Sequence, residues 1–169
     1  MRVHRCCHCR RVVGAIGRPA PLHHRPLFWN ETSTPGGCPI CLSGDTMIDT
    51  PLGEIQVKEM KTGMPVWTVG KDGTRTAGTI KMTGRTPVPQ THEMVRLILN
   101  DGRQLLVSPG HSTTDGRTIG GLVANDFYDN ARVLSADRVP YTEEATYDIL
   151  PSGETGWYRA NGILLKSTL

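Results

Sequence analysis

Cysteine, serine and histidine occur in this chain in settings that covalent chemistry uses. "GGCPICLSGDTMIDTPLG", residues 36–53, carries Cys38 and Cys41 as a C-x-x-C pair, and a hairpin-like stretch follows Cys41 at once. Further on, "DGRQLLVSPGHS" sets Ser108 three residues before His111. A thiol can attack the carbonyl that precedes it only if the peptide is bent toward sulfur and the departing amide nitrogen is given a proton, because an amine is otherwise a very poor leaving group. That chemistry needs a cysteine, a proton donor and a group that stabilises the oxyanion. His111 is the natural donor, since imidazole is the side chain that exchanges a proton near neutral pH. Ser108 is close enough in sequence to orient the scissile bond or to hydrogen-bond its amide.

Cys41 also has a competing reading. Cys6-x-x-Cys9 and Cys38-x-x-Cys41 together make two knuckles of the kind that ligate zinc. Against a compact four-cysteine site, 28 residues separate the pairs, and "RCCHCRR" adds Cys7 and His8 as rival ligands at irregular spacing. Zinc on Cys41 would tie up its thiolate, so metal binding and nucleophilic attack compete for one atom.

The elements that must position these groups are short. The 169 residues are 37% hydrophobic, with 19 glycines and 12 prolines against two phenylalanines, a composition of many brief strands joined by tight turns. "TMID", "TPLG" and "EIQV" read as strand, turn and alternating strand, with Ile55 and Val57 on one face. "KEMKTG" reads as one helical turn ended by Gly63. "MPVWTV" and "TAGTIKMTG" flank the turn "GKDGTR". The clearest hairpin is "MVRLILNDGRQLLVSPGH", where Asn100-Asp101-Gly102 supplies residues tolerant of positive φ. "ARVLSADRVP" and "TYDILPSGETGWYRANGILL" add three or four strands, with Asn161-Gly162 first of all a turn. Residues 112–130 carry turn chemistry throughout and are expected to be loop. About ten short strands and almost no helix call for a closed or strongly coiled all-β body.

Residues 1–40 differ in texture from the rest. Arg2, Arg5, Arg10, Arg11, Arg18 and Arg25 precede the first acid, Glu31, and account for the formal charge of +3. "RPAPLHHRPLFWNETSTPGG" reads as a proline-broken linker, and the head as a poorly ordered, solvated tail. A nucleic-acid partner for this basic head is disfavoured, since two phenylalanines are too few for a stacking platform. There is no secretory h-region and no apolar run long enough to cross a membrane, so the default expectation is a cytoplasmic monomer without a cofactor. All five cysteines lie at or before residue 41, so disulfides cannot staple the body.

Three separated segments together resemble the Hint domains, the self-processing modules of inteins, bacterial intein-like proteins and Hedgehog proteins. "CLSGDTMIDTPLG" resembles the opening block, which begins with the nucleophilic cysteine. "DGRQLLVSPGHS" resembles the second block, a Thr or Ser followed three residues later by His. "TYDILPSGETGWYRANGILL" resembles the closing block. The match runs in order from residue 41 to about residue 165, which implies a Hint domain at 41–169, a horseshoe or disc of strands, behind a flank at 1–40. It implies Cys41, Ser108 and His111 as catalytic groups, with Asp148 at an acidic position that polarises a second nucleophile or assists His111. The reading of the residues alone leaves Asp148 equally open to capping a strand end or pairing with an arginine.

The closing block departs from the family. Splicing inteins end in a pattern like "ANGILVHN", whose final Asn cyclises to cut the downstream peptide; aligned here, Lys166 falls on the His and Ser167 on the Asn. Serine has no side-chain amide to close a succinimide. The resemblance therefore implies an N-to-S acyl shift at Ile40–Cys41 with loss or transfer of the upstream segment, without full splicing. The acyl acceptor is left open between water and another nucleophile. The rivals are the zinc module of Cys6, Cys9, Cys38 and Cys41, and a Hint fold whose activity has decayed and which serves as an interaction domain.

Overall fold

The structure, a computed structural model, describes residues 41–169. Eleven strands and two short 3-10 turns make up this body, in keeping with the roughly ten short strands expected from the sequence. β1 (Met47–Thr50) and β2 (Gly53–Gln56) form the first hairpin, closed at Gly53 with φ 102°. A 3-10 turn at Val57–Glu59 follows. The helical turn expected over 58–63 thus starts one residue earlier and stops before Gly63, because Val57 is drawn into the core and Met60 is already extended.

β3 (Pro65–Val69) pairs with the first half of β4 (Arg75–Pro87), and the second half of β4 pairs with β9 (Ala145–Pro151). A register shift between Ile80 and Met82 marks the changeover, the place where a bulge lets one long strand bend between two partners. β5 (Glu93–Leu99) and β6 (Gln104–Val107) form the Asn-Asp-Gly hairpin, with Gly102 at φ 89°. β7 (Phe127–Tyr128), β8 (Ala131–Pro140), β10 (Trp157–Ala160) and β11 (Ile163–Lys166) complete the set. Residues 112–130 are mostly loop, as their turn chemistry dictates, interrupted by a 3-10 turn at Ile119–Gly121 and by the two residues of β7.

The strands fall into two sheets, one in the order β2-β1-β10-β3-β4-β9 with β11 on β10, the other β6-β5-β8-β7. One residue joins them. Leu42 makes an antiparallel bridge to Val107 of β6 on one side and to Tyr147 of β9 on the other. It is fully buried in the cluster formed by Ile48, Val66, Leu97, Val107, Ile149 and Leu165. Alternation decides this packing: Val95, Leu97, Leu99, Leu105 and Val107 turn into the core while Arg96 and Gln104 between or beside them face water. The fold is all-β, as the composition implies.

Candidate functional site

The segment that opens the body is held like a short strand between two others. Leu42 N donates to Tyr147 O at 2.7 Å, and Tyr147 N returns a bond to Leu42 O at 2.9 Å. Ser43 N donates to Leu106 O at 3.2 Å and Ser108 N to Cys41 O at 2.9 Å. These backbone bonds fix Cys41 between the end of β6 and the middle of β9. Cys41 is 5% exposed, and its Sγ lies 4.0 Å from Oγ1 of Thr86 in β4.

Ser108 and His111 sit on the tight turn that ends β6, closed by a bond from His111 N to Ser108 O at 3.0 Å. Both are fully buried. The amide of Ile119 donates to His111 O at 3.0 Å, which ties the turn to the loop behind it. Ser108 Oγ has no hydrogen-bond partner among the described residues, an exposed cost inside a core unless the hydroxyl has another task.

Asp148 enters from β9 and is buried, at 1% exposure. Its carboxylate accepts four bonds, filling its acceptor sites. Oδ1 takes Tyr158 OH at 2.6 Å and Ile149 N at 2.8 Å; Oδ2 takes Thr168 N at 2.8 Å and Thr168 Oγ1 at 2.5 Å. Burial, followed by the negative charge of Asp148, pushes the Tyr158 phenol well above its ordinary range, so Tyr158 remains a donor that fixes the carboxylate. Asp148 thus lies within β9 and faces a tyrosine and a threonine. Leu169 continues past Thr168 and lies over Gly84, where a Cβ would stand 2.9 Å from Leu169 Cδ2. Gly84 is opposite Asp148 in the β4–β9 ladder.

The four residues singled out in the sequence therefore lie along one backbone clamp: Ser108 bonds Cys41 directly, His111 closes the same turn, and Asp148 follows Tyr147, the partner of Leu42. Asn161 is a turn residue, at φ 48°, whose side chain accepts from Met47 N at 2.8 Å and donates to Gln104 O at 3.0 Å. Lys166 is exposed at the end of β11, and its amide contacts Ser112 O at 3.4 Å. Thr86, Tyr158, Thr146 and Thr168 were not legible as site residues. Only Thr146 carried a signal, a hydroxyl in a strand slot flanked by apolar core.

Cys6, Cys9 and Cys38 lie outside the described residues, as does Ile40; among the described residues no cluster of three or more His, Cys, Asp or Glu is placed to hold a metal. No helix among them is long and apolar enough to cross a membrane. Surface cavities of about 390 and 330 Å³ are lined by groups such as Asp72 and Thr155, and Thr114 and Phe127, and neither includes Cys41.

No protein-family model and no curated protein matches the sequence. Solved structures do match. The gp41-1 intein is 20% identical and superimposes with a TM-score of 0.58, covering 76% of this chain and 99% of that one. A DnaB intein from Synechocystis sp. PCC 6803 is 14% identical with a TM-score of 0.60, covering 77% and 99%. The PabCDC21-1 intein is 11% identical with a TM-score of 0.63, covering 76% and 98%. The chain is similar to these proteins over almost their whole length, at the level of fold.

Proposed function

We propose that this chain, which has the fold of intein domains, is a self-processing module that converts the Ile40–Cys41 peptide bond into a thioester. The observation that carries the reading is the double clamp on residues 41–42: it fixes a buried cysteine beside the Ser108–His111 turn and against the strand that bears Asp148. Cys41 Sγ attacks the Ile40 carbonyl carbon, the C–N bond to Cys41 breaks, and the C–S bond remains. His111 delivers to the departing nitrogen a proton equivalent to the one the thiol lost, so the step is an isomerisation. Ser108 Oγ, buried and without a partner among the described residues, is available to stabilise the oxyanion. The substrate is the upstream flank, residues 1–40, and the folded domain is 41–169.

The acceptor favoured by the structure's own contacts is the Thr168 hydroxyl, because Asp148 accepts from it at 2.5 Å. Its oxygen would attack the thioester carbonyl, the C–S bond would break and Cys41 would recover its proton through Asp148, leaving an ester on Thr168. Ser167, lacking an amide, cannot then cyclise, so the sequence stops short of splicing. Hydroxylamine tests both steps. It should release residues 1–40 as a hydroxamate at Ile40 from the wild-type chain and from Thr168→Ala, and nothing from Cys41→Ala. Release from Cys41→Ala at the wild-type rate refutes the thioester. A species that resists neutral hydroxylamine but yields to alkaline hydroxylamine, the mark of an oxygen ester, refutes Thr168 as acceptor if it survives in Thr168→Ala.

A further inference from the structure

Opposite residues of an antiparallel pair share a face, with Cβ atoms about 4.5–5.5 Å apart. Thr86 of β4 and Thr146 of β9 are such a pair. The mutual bonds of Leu42 and Tyr147 extend the ladder by one more chain, and alternation then puts Cys41, Thr146 and Asp148 on the face away from Leu42. The 4.0 Å approach of Cys41 Sγ to Thr86 Oγ1 agrees with that placement, since the two side chains reach toward each other across β9.

Thr146 is fully buried, and its Oγ1 has no hydrogen-bond partner among the described residues. A structural threonine pair would bond hydroxyl to hydroxyl across the strands. This pair does not, and β9 would pack as well with valine at 146. An uncompensated hydroxyl kept in a core slot is the kind of local cost that proteins retain at functional sites.

We propose that Thr86 and Thr146 form a hydroxyl pair serving the Cys41 sulfur: Thr86 orients Sγ, and Thr146 donates to the oxyanion that forms when Sγ attacks. This inference rests on the acyl-shift reading. No atom is transferred to either threonine; each supplies a hydrogen bond that is absent or poor in the resting chain and made in the tetrahedral intermediate. Thr86 is a positioning residue and Thr146 a second oxyanion donor beside Ser108.

The test compares the full chain with Thr146→Val, Thr146→Ser, Thr86→Val and Thr86→Ser. Thiol-induced cleavage is followed by intact mass and stability by thermal melting. Thr146→Val should slow cleavage about 10²-fold, the usual loss for one oxyanion donor. It should also melt about 2–4 °C higher, because it removes an unsatisfied buried hydroxyl. Thr146→Ser should return the rate to within a few-fold of wild type. Thr86→Val should slow cleavage about tenfold with Thr86→Ser restoring it, the mark of a hydroxyl rather than of packing. A slow Thr146→Val that also melts lower and is not rescued by serine is a packing effect and overturns the inference. So does wild-type cleavage by Thr146→Val. Absence of cleavage in the wild-type chain overturns the acyl-shift reading and this inference together, whereas normal wild-type cleavage with an unaffected Thr146→Val overturns this inference alone.

Discussion

At the scale of single residues, the proposed roles differ in what each group must do, and the kinetics should separate them. Loss of a general acid typically slows a reaction 10²–10⁴-fold, and loss of one oxyanion donor about 10²–10³-fold. His111→Ala should therefore be the more damaging change, and Ser108→Ala the lesser. Ser108→Thr keeps the hydroxyl and should process at close to the wild-type rate. Because Ser108 Oγ is buried with no partner among the described residues, Ser108→Ala should not lower the melting temperature. Single-turnover cleavage and thermal melts of the three variants check both expectations. The sequence pointed to Cys41, Ser108 and His111 through residue type and spacing, and to Asp148 only through the resemblance of its segment to the closing block. It was silent on Thr86 and Thr168, whose places depend on which strand lies beside which and on where the last residues turn back.

At the scale of elements, the closing hairpin is fastened by a buried ionic knot. Asp129, with a side chain 4% exposed, accepts from Arg103 and from Arg159 Nη1 at 3.0 Å, and its Oδ2 also receives Leu164 N at 3.0 Å. Both arginines bond Gly162 O as well, at 2.9 and 2.7 Å, so the β10–β11 turn is tied to the β5–β6 and β7–β8 turns at once. Asp129→Ala would leave two partly buried guanidinium groups without their anion, at a cost of about 3 kcal/mol. Urea unfolding should show it as a lower midpoint with an unchanged slope.

Tyr128 gives the same region a pH dependence. Burial pushes its phenol up to about 12, and its hydroxyl donates to Leu164 O on β11. The folded value lies above the unfolded one, near 10, so this stabilisation is complete below about pH 10 and is lost as pH rises from there toward 12. Tyr128→Phe should flatten that alkaline loss in melting experiments from pH 9 to 12. Local pattern made much of this architecture readable: "ARVLSADRVP" is β8 to the residue, because alternation and flanking turns bound it at both ends. β4 was not, since it runs past the apolar stretch to Pro87 on the strength of its pairing with β9, and "RTP" has no periodicity of its own. The bridging role of Leu42 was equally hidden, because a one-residue bridge has no period at all.

At the scale of the whole molecule, the first described residues are the keystone of the folded body and, in the proposed reaction, its reactive end. Leu42 closes the gap between the two sheets, and the clamp that does so immobilises the cysteine beside it. Folding of the body and assembly of the proposed site are then one event. The measurement that bears most directly on this is the intact mass of the purified full chain, incubated in metal-free buffer with and without dithiothreitol. The account predicts fragments 1–40 and 41–169, produced faster with the thiol because it intercepts a thioester, and neither fragment from Cys41→Ala. A single full-length species under both conditions would contradict it.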